Sequence, residues 1–231
     1  MAKRNTLLRR LKYRILQTLP GNTGLRYRRK YLKLFAGRAE AQMRAALAAA
    51  PGGICIDLGA NVGQHTRTMA AHAGMVYAFE PDPWTAARLR ENLADLGNVT
   101  VIEAAAGTEN GSTALFRTAE FNADPEMQSQ SSSIVAEKRN VDTAHPVKVQ
   151  VLDFTAFLEA LDSDIAVLKM DIEGAEVALL EKLFDHPVLS RIGHVFVETH
   201  ESRIPELAPR SEALRRRSRN IAHPVINMDW K

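Results

Sequence analysis

The chain has one cysteine in 231 residues, Cys55, so an intrachain disulfide is excluded. Cys55 lies inside an apolar run, which predicts a buried structural thiol rather than a nucleophile. The lack of disulfides points to a reducing, cytoplasmic setting. The sequence has no uninterrupted apolar run near the roughly 20 residues that a membrane span needs. Its opening, MAKRNTLLRRLKYRILQTLP, is broken by Arg9, Arg10, Lys12 and Arg14, which makes a poor secretory signal. Aromatic residues are only 6% of the chain, leaving few platforms for stacking nucleic-acid bases. Also missing are a G-x-G-x-x-G turn, a Walker-type Gly-Lys-Ser or Gly-Lys-Thr, and an Asn-Pro-Pro-Tyr motif. Pyrophosphate cradles, nucleotide triphosphate loops and base-methylating sites of those kinds lose their signatures.

Acids are absent from one region. Residues 1–38 hold 12 of the 30 Lys and Arg and none of the 27 Asp and Glu. The rest of the chain therefore carries 18 bases against 27 acids. A basic arm precedes an acidic domain. Leu8, Leu11, Ile15 and Leu19 recur at helical spacing with bases between them, which predicts an amphipathic basic helix. One reading is a surface for anionic lipid, nucleic acid or a charged substrate, with peripheral membrane contact through residues 1–38. The plainer reading is a helix packed on the domain with a solvated outer face. We prefer the plainer one here, because a charge run alone rarely identifies a partner.

With 45% apolar and 25% charged residues, the remainder reads as one globular domain of ordinary size. We divide the chain into a basic helical extension, residues 1–50, and a domain, residues 51–231. Pro20-Gly21 ends the first helix, and 26–50 reads as a second helical stretch. Strands and helices then alternate: strands over 54–58, 75–79, 99–105, 165–170 and 194–198, and helices over 64–73, 83–96, 175–184 and 211–219. Asp82 is the expected N-cap and Gly97 the stop of the second of these helices. Short extended pieces are expected at 112–118 and 147–151, a short helix at 153–161, and an extended end at 224–230. Residues 119–146, rich in Ser, Gln and Asn, read as a long surface loop that can act as a lid. The pattern predicts a doubly wound, mostly parallel α/β sheet.

The chemistry concentrates at ICIDLGANVG, 54–63. An apolar strand delivers Asp57 into a turn containing Gly59, Ala60, Asn61 and Gly63, and a helix follows. Glu80 ends the next strand, where an acid commonly binds ribose hydroxyls. A carboxylate just before the turn repels a pyrophosphate but suits a ligand with a cationic amino group. S-adenosylmethionine carries an ammonium, a sulfonium and no phosphate, so it is the expected cofactor.

On the blocks IDLGANVG (56–63), AFEPDP (78–83), VLDFTAFL (151–158), LKMDIEGAE (168–176) and FVETH (196–200), the chain resembles the FkbM-type family of S-adenosylmethionine-dependent methyltransferases. The resemblance implies a Rossmann-like methyltransferase sheet of seven strands and, usually, transfer to a hydroxyl of a small molecule or glycan. It matches Asp57, Gly59, Asn61, Gly63 and Glu80 to the cofactor pocket, and Asp171 and Glu173 to the fourth-strand motif. One departure stands out: a single late strand is legible after His200, where that fold ends in two.

Candidate catalytic groups belong beyond the carboxyl ends of the strands. These are Asp171 and Glu173 after the fourth strand, and Glu198 and His200 at the fifth. We expect Asp171 near the reacting methyl, His200 or Glu198 as general base, and Lys169 paired with one of the acids. Glu176 reads as an ordinary first-turn acid, and His65 as a helix-start residue. Asp171, Glu198 and His200 are also of types that bind divalent ions, but without a compact ligand motif metal-free base catalysis ranks higher. Alternatives are a nucleic-acid methyltransferase using the basic arm, and a non-catalytic binding protein that keeps the fold.

Overall fold

Ile54, Cys55, Ile56, Asp57 and Leu58 alternate between two covered faces, and their strand is the centre of the molecule. The computed structural model describes residues 2–34, 36–138 and 140–230, without the side chains of residues 2–7 and Ala36. In chain order the elements begin with the helices α1 (Ala2–Leu16), α2 (Gly21–Lys33) and α3 (Ala36–Ala49). Then come β1 (Ile54–Leu58), α4 (Gln64–Ala70), β2 (Met75–Phe79), α5 (Pro83–Asn92), β3 (Val99–Ile102), β4 (Ala105–Gly107) and β5 (Gly111–Leu115). A short α6 (Pro125–Gln128) precedes β6 (Val147–Asp153), α7 (Phe154–Ala160), β7 (Ile165–Met170), α8 (Glu176–Asp185), β8 (Ile192–Glu198), α9 (Ala208–Ser218) and β9 (Val225–Trp230).

The main sheet has the order β3-β2-β1-β7-β8-β9, and every neighbouring pair in it is parallel. The strand order reverses between β1 and β7. That switch point leaves a crevice at the carboxyl ends of the strands. A smaller sheet, β4-β6-β5, packs beside it.

Side-chain alternation sorts the core. Ile56 and Leu58 of β1, Leu168 and Met170 of β7, and Val195 and Val197 of β8 pack with α7, α8 and α9. On the other face Cys55, Val76, Val167 and Phe196 meet Met43 and Leu47 of α3 and Met69 of α4. The core thus draws in α3 from the extension. Met43 and Leu47 are 2% and 1% exposed, each contributing roughly 1.5–3 kcal/mol. Burial pushes the Cys55 thiol up to about 11, as expected of a structural cysteine.

Several expected elements change. The stretch 26–50 is two helices, α2 and α3, and α2 begins at Gly21. Val99–Ala105 is split, because β3 stays in the main sheet while β4 leaves to pair with β6. The helix expected over 83–96 ends at Asn92; Asp82 caps it, accepting from the amides of Trp84 and Thr85 at 2.9 and 3.2 Å. Leu93 continues past the helix end to pack on Ala60 and Ala78. The final helix starts at Ala208, three residues early, after a single 3₁₀ turn at Pro205–Leu207.

Among the described residues the main sheet has six strands rather than the seven the resemblance implied. The one late strand, β9, runs parallel to β8. The segment 119–146 is not patternless either. It contains α6 and a 3₁₀ turn, and Phe116 and Ser133 exchange backbone hydrogen bonds of 2.8 and 2.9 Å.

Candidate functional site

A cleft of about 330 Å³ opens at the carboxyl ends of β1, β2, β7 and β8. Its floor is the turn after β1. Gly59 has φ +76, and a Cβ there would come within 1.9 Å of the Asp171 carbonyl oxygen. Only glycine lets the two strand ends approach this closely. Gly63, at φ +95, starts α4 against Leu89 and Leu93. The amides of Gly59 and Ala60 both donate to the Phe79 carbonyl, at 3.1 and 3.0 Å, which locks the turn to the end of β2.

Glu80 occupies the position expected of it. Its Oε2 accepts from the Asn61 amide and its Oε1 from the Asp82 amide, each at 3.0 Å. Burial pushes this carboxyl up to about 7, although both amides pull the other way. Asn61, at φ +49, turns its side chain to accept from Ser129 Oγ at 3.2 Å. The floor of the cleft is thereby tied to the segment above it.

Asp57 differs from the expectation. It is completely buried and is not among the residues lining the cleft. Strand register pairs Asp57 with Lys169, so acid and base lie side by side on one face of the sheet. Lys169 Nζ stands 3.0 Å from Asp57 Oδ1 and donates to the Gly59 carbonyl at 2.9 Å. Thr66 of α4 donates to Asp57 Oδ2 at 2.7 Å. Both Asp57 oxygens are therefore engaged beneath the turn. The pair braces the glycine turn from below and leaves no free carboxylate there for a cationic ligand. Lys169 pairs with this acid rather than with one beyond the strand ends.

On the opposite wall the tertiary structure brings together Asp171, Glu173, Glu198 and His200. The imidazole Nε2 lies 3.3 Å from Glu173, 3.5 Å from Asp171 and 3.9 Å from Glu198. Its Nδ1 lies 3.2 Å from Glu176 Oε1. Glu176, fully buried at the start of α8, accepts from the His200 amide at 3.0 Å and from the Gly174 amide at 2.7 Å. It is a clamp for His200 as well as a first-turn acid, which sequence position alone did not reveal.

Glu176, Glu173 and Asp171 together overcome the burial of His200 and raise its pKa to about 9. A raised pKa favours the imidazolium at neutral pH, a state that lacks the lone pair the expected general-base role requires. Its charge stabilises the folded state fully below the ordinary histidine value, and the contribution is lost as pH rises through about 9. We expect NMR to show the His200 ring still protonated at pH 8; a midpoint near 6.5 would contradict this electrostatic picture.

Asp171 is raised to about 6. Burial is the main cause and the Glu198 charge adds to it, while Lys169 and His200 pull it down. Glu173 is held below the usual range despite its burial, by His200, Lys138 and Arg203. Lys138 Nζ and Arg203 Nη1 each lie 2.8 Å from Glu173 Oε2.

Lys138 and Arg203 escaped the sequence reading, because nothing in a lone Lys or Arg announces a partner far away in the chain. Lys138 staples the 119–146 segment over the cleft. Ser133 Oγ also donates to the Glu173 carbonyl at 2.7 Å, and Ser129 to Ile134 form part of the cleft wall. Arg117 grips the Asp82 carboxylate with two bonds, at 2.6 and 2.9 Å, from the near end of the same segment. Replacing Lys138 with Ala should raise hydrogen exchange of the 127–134 amides with little change in the strands. Unchanged exchange there would show that the staple is dispensable.

His65 lines the cleft and packs edge-on against Trp230, ring centres 5.2 Å apart. Asp171, Glu173 and His200 also place ligand-type atoms within 4.8 Å of one another. Yet Glu173 already holds two cations.

An open parallel sheet with acids at its strand ends, around a cleft at the switch point, is a Rossmann-like α/β frame. Residues 57–220 match the methyltransferase FkbM domain, and the chain belongs to that family. Among solved structures, the chain is similar to an rRNA methylase from Streptococcus thermophilus at 12% identity and TM-score 0.37, over 66% of this chain and 67% of that one. It is also similar to a putative rRNA-methylase from Clostridium thermocellum at 10% identity and TM-score 0.43, over 77% and 79%. No curated protein matches the chain.

Proposed function

We propose that the protein transfers a methyl group from S-adenosylmethionine to a hydroxyl oxygen of a small molecule or glycan. The observation that carries the reading is the position of Glu80. Its carboxyl group is fixed by two backbone amides at the mouth of a cleft that Asp171, Glu173 and Glu198 line from the other side. An acid at the end of the second strand is suited to accept ribose hydroxyls. Glu80 would hold the ribose, with Gly59, Ala60 and Asn61 forming the floor under the adenosyl group. The cofactor, once bound, supplies a methyl group on a sulfonium, already a good leaving group.

The chain must then orient the acceptor, exclude water and take up a proton. Asp171 is the group suited to the last task, because a carboxyl near 6 is mostly ionised at neutral pH yet basic enough to accept a proton. His200, fixed by Glu176, holds a positive charge beside Asp171 and acts as a positioning residue. Glu198 remains the second candidate base. A divalent ion is not needed for charge balance, since Lys138, Arg203 and His200 already offset Glu173.

Calorimetric titration with S-adenosylmethionine tests the pocket. We expect saturable binding that Glu80→Ala weakens at least about tenfold, on the order of the 1.4 kcal/mol lost with a charged hydrogen-bond partner. Binding and turnover should persist in EDTA. Binding of NADH in place of S-adenosylmethionine would end the proposal.

A further inference from the structure

The outer face of α1 is apolar. Leu8, Leu11 and Ile15 are 61, 57 and 60% exposed, and Leu19, just past the helix end, is 43% exposed. The spacing of Leu8, Leu11 and Ile15 puts those three on one side of the coil. The other side faces the protein, where Tyr13, Leu16 and Gln17 are half-buried and the Tyr13 ring meets Tyr27 at 5.9 Å. A helix that merely coats a domain turns its leucines inward and its charges outward. Here Leu8, Leu11 and Ile15 point out, while Leu16 turns inward. The plainer reading of the basic arm leaves this exposed stripe unexplained.

Lys12 and Arg14, both exposed, flank this stripe, and the first 38 residues contain no acid. We propose that α1 is an interfacial helix that docks the protein on an anionic lipid bilayer. It lies in the headgroup plane with Leu8, Leu11, Ile15 and Leu19 inserted and Lys12 and Arg14 among the phosphates.

Charge and apolarity together select this partner. An RNA backbone satisfies the bases but has no use for an aliphatic stripe, and Tyr13 and Tyr27 are spent on each other rather than offered for stacking. A second copy joined through the same face would bring two acid-free helices together against their mutual repulsion. An anionic bilayer accommodates both features. No helix among the described residues is long and apolar enough to cross a membrane, so the contact is peripheral.

The extension is tied to the body of the protein. Arg28 of α2 lies 2.9 Å from Glu212 of α9 and 3.4 Å from Glu201, the neighbour of His200. Docking through α1 would thus hold the catalytic domain at the lipid surface. This inference does not depend on the chemistry proposed for the cleft.

Co-sedimentation of the full chain with vesicles tests it. We expect binding to vesicles of equal parts phosphatidylcholine and phosphatidylglycerol, and at least about tenfold weaker binding to phosphatidylcholine alone. High salt should weaken the interaction. The double variant Leu11→Glu/Ile15→Glu should bind the anionic vesicles roughly tenfold more weakly or worse, with an unchanged thermal midpoint because both side chains are exposed. Lys12→Glu/Arg14→Glu should do the same.

Equal binding to both vesicle types, or full binding by Leu11→Glu/Ile15→Glu, overturns the proposal. So does a lipid-free dimer that this variant dissociates, or RNA binding tighter than vesicle binding and indifferent to it.

Discussion

Asp171→Asn is expected to lower kcat by roughly 10²–10⁴-fold, the usual worth of a positioned base, while S-adenosylmethionine affinity changes only a few-fold. The substitution keeps the shape of the side chain and removes its basicity. The measurement is transfer of labelled methyl from the donor to a hydroxyl acceptor that the parent chain turns over, alongside calorimetry with the donor alone. The pH profile adds a second readout. Activity should rise as Asp171 ionises near pH 6 and fall as the His200 imidazolium is lost near pH 9. In Asp171→Asn the acid limb should vanish. A variant that keeps full kcat with an unchanged acid limb would move the base to Glu198.

The second large effect is on stability. Lys169→Met should destabilise the fold by about 3–5 kcal/mol, because it leaves the fully buried Asp57 carboxylate without its compensating charge. Thr66 would remain as a partner, but a neutral hydroxyl does not replace an ammonium. Urea unfolding measures the loss. Lys169→Met/Asp57→Asn, which removes both charges, should recover a large part of it. If the single variant is as stable as the parent, the pair is not the brace under the glycine turn that its geometry implies. The double variant guards against a trivial explanation: a packing defect from methionine alone would not be repaired at Asp57.

These two predictions divide along the line between sequence and structure. The strand–turn–helix unit at 54–63 was legible because each of its signals is local. Apolar alternation marks β1, the glycines mark a turn of special φ, and the acid at residue 80 ends the next strand. Likewise Asp82 announced itself as a cap through its position before Pro83. Gly59, Ala60, Asn61 and Glu80, with Asp171, Glu173 and Glu198, line the same crevice, because strand ends in a parallel sheet point one way.

What these groups do to one another was decided by contacts between residues far apart in the chain. Asp57 looked like a ligand carboxylate until strand register set Lys169 beside it and α4 brought Thr66 over it. His200 looked like a base until Glu176, Glu173 and Asp171 closed around it and favoured its protonated form. The segment 119–146 looked formless because its order comes from Ser133 and Lys138 reaching Glu173 on the cleft wall, and such reach has no periodicity. The outward leucines of α1 were equally ambiguous, since helical spacing fixes which residues share a face but not whether that face meets protein or solvent. The sequence by itself determined the elements, the glycine turn and the inventory of charged groups, all encoded over a few neighbouring residues. Only the tertiary structure decided which charges neutralise each other and which remain for chemistry, because Coulomb energies depend on distances and burial that local sequence does not set.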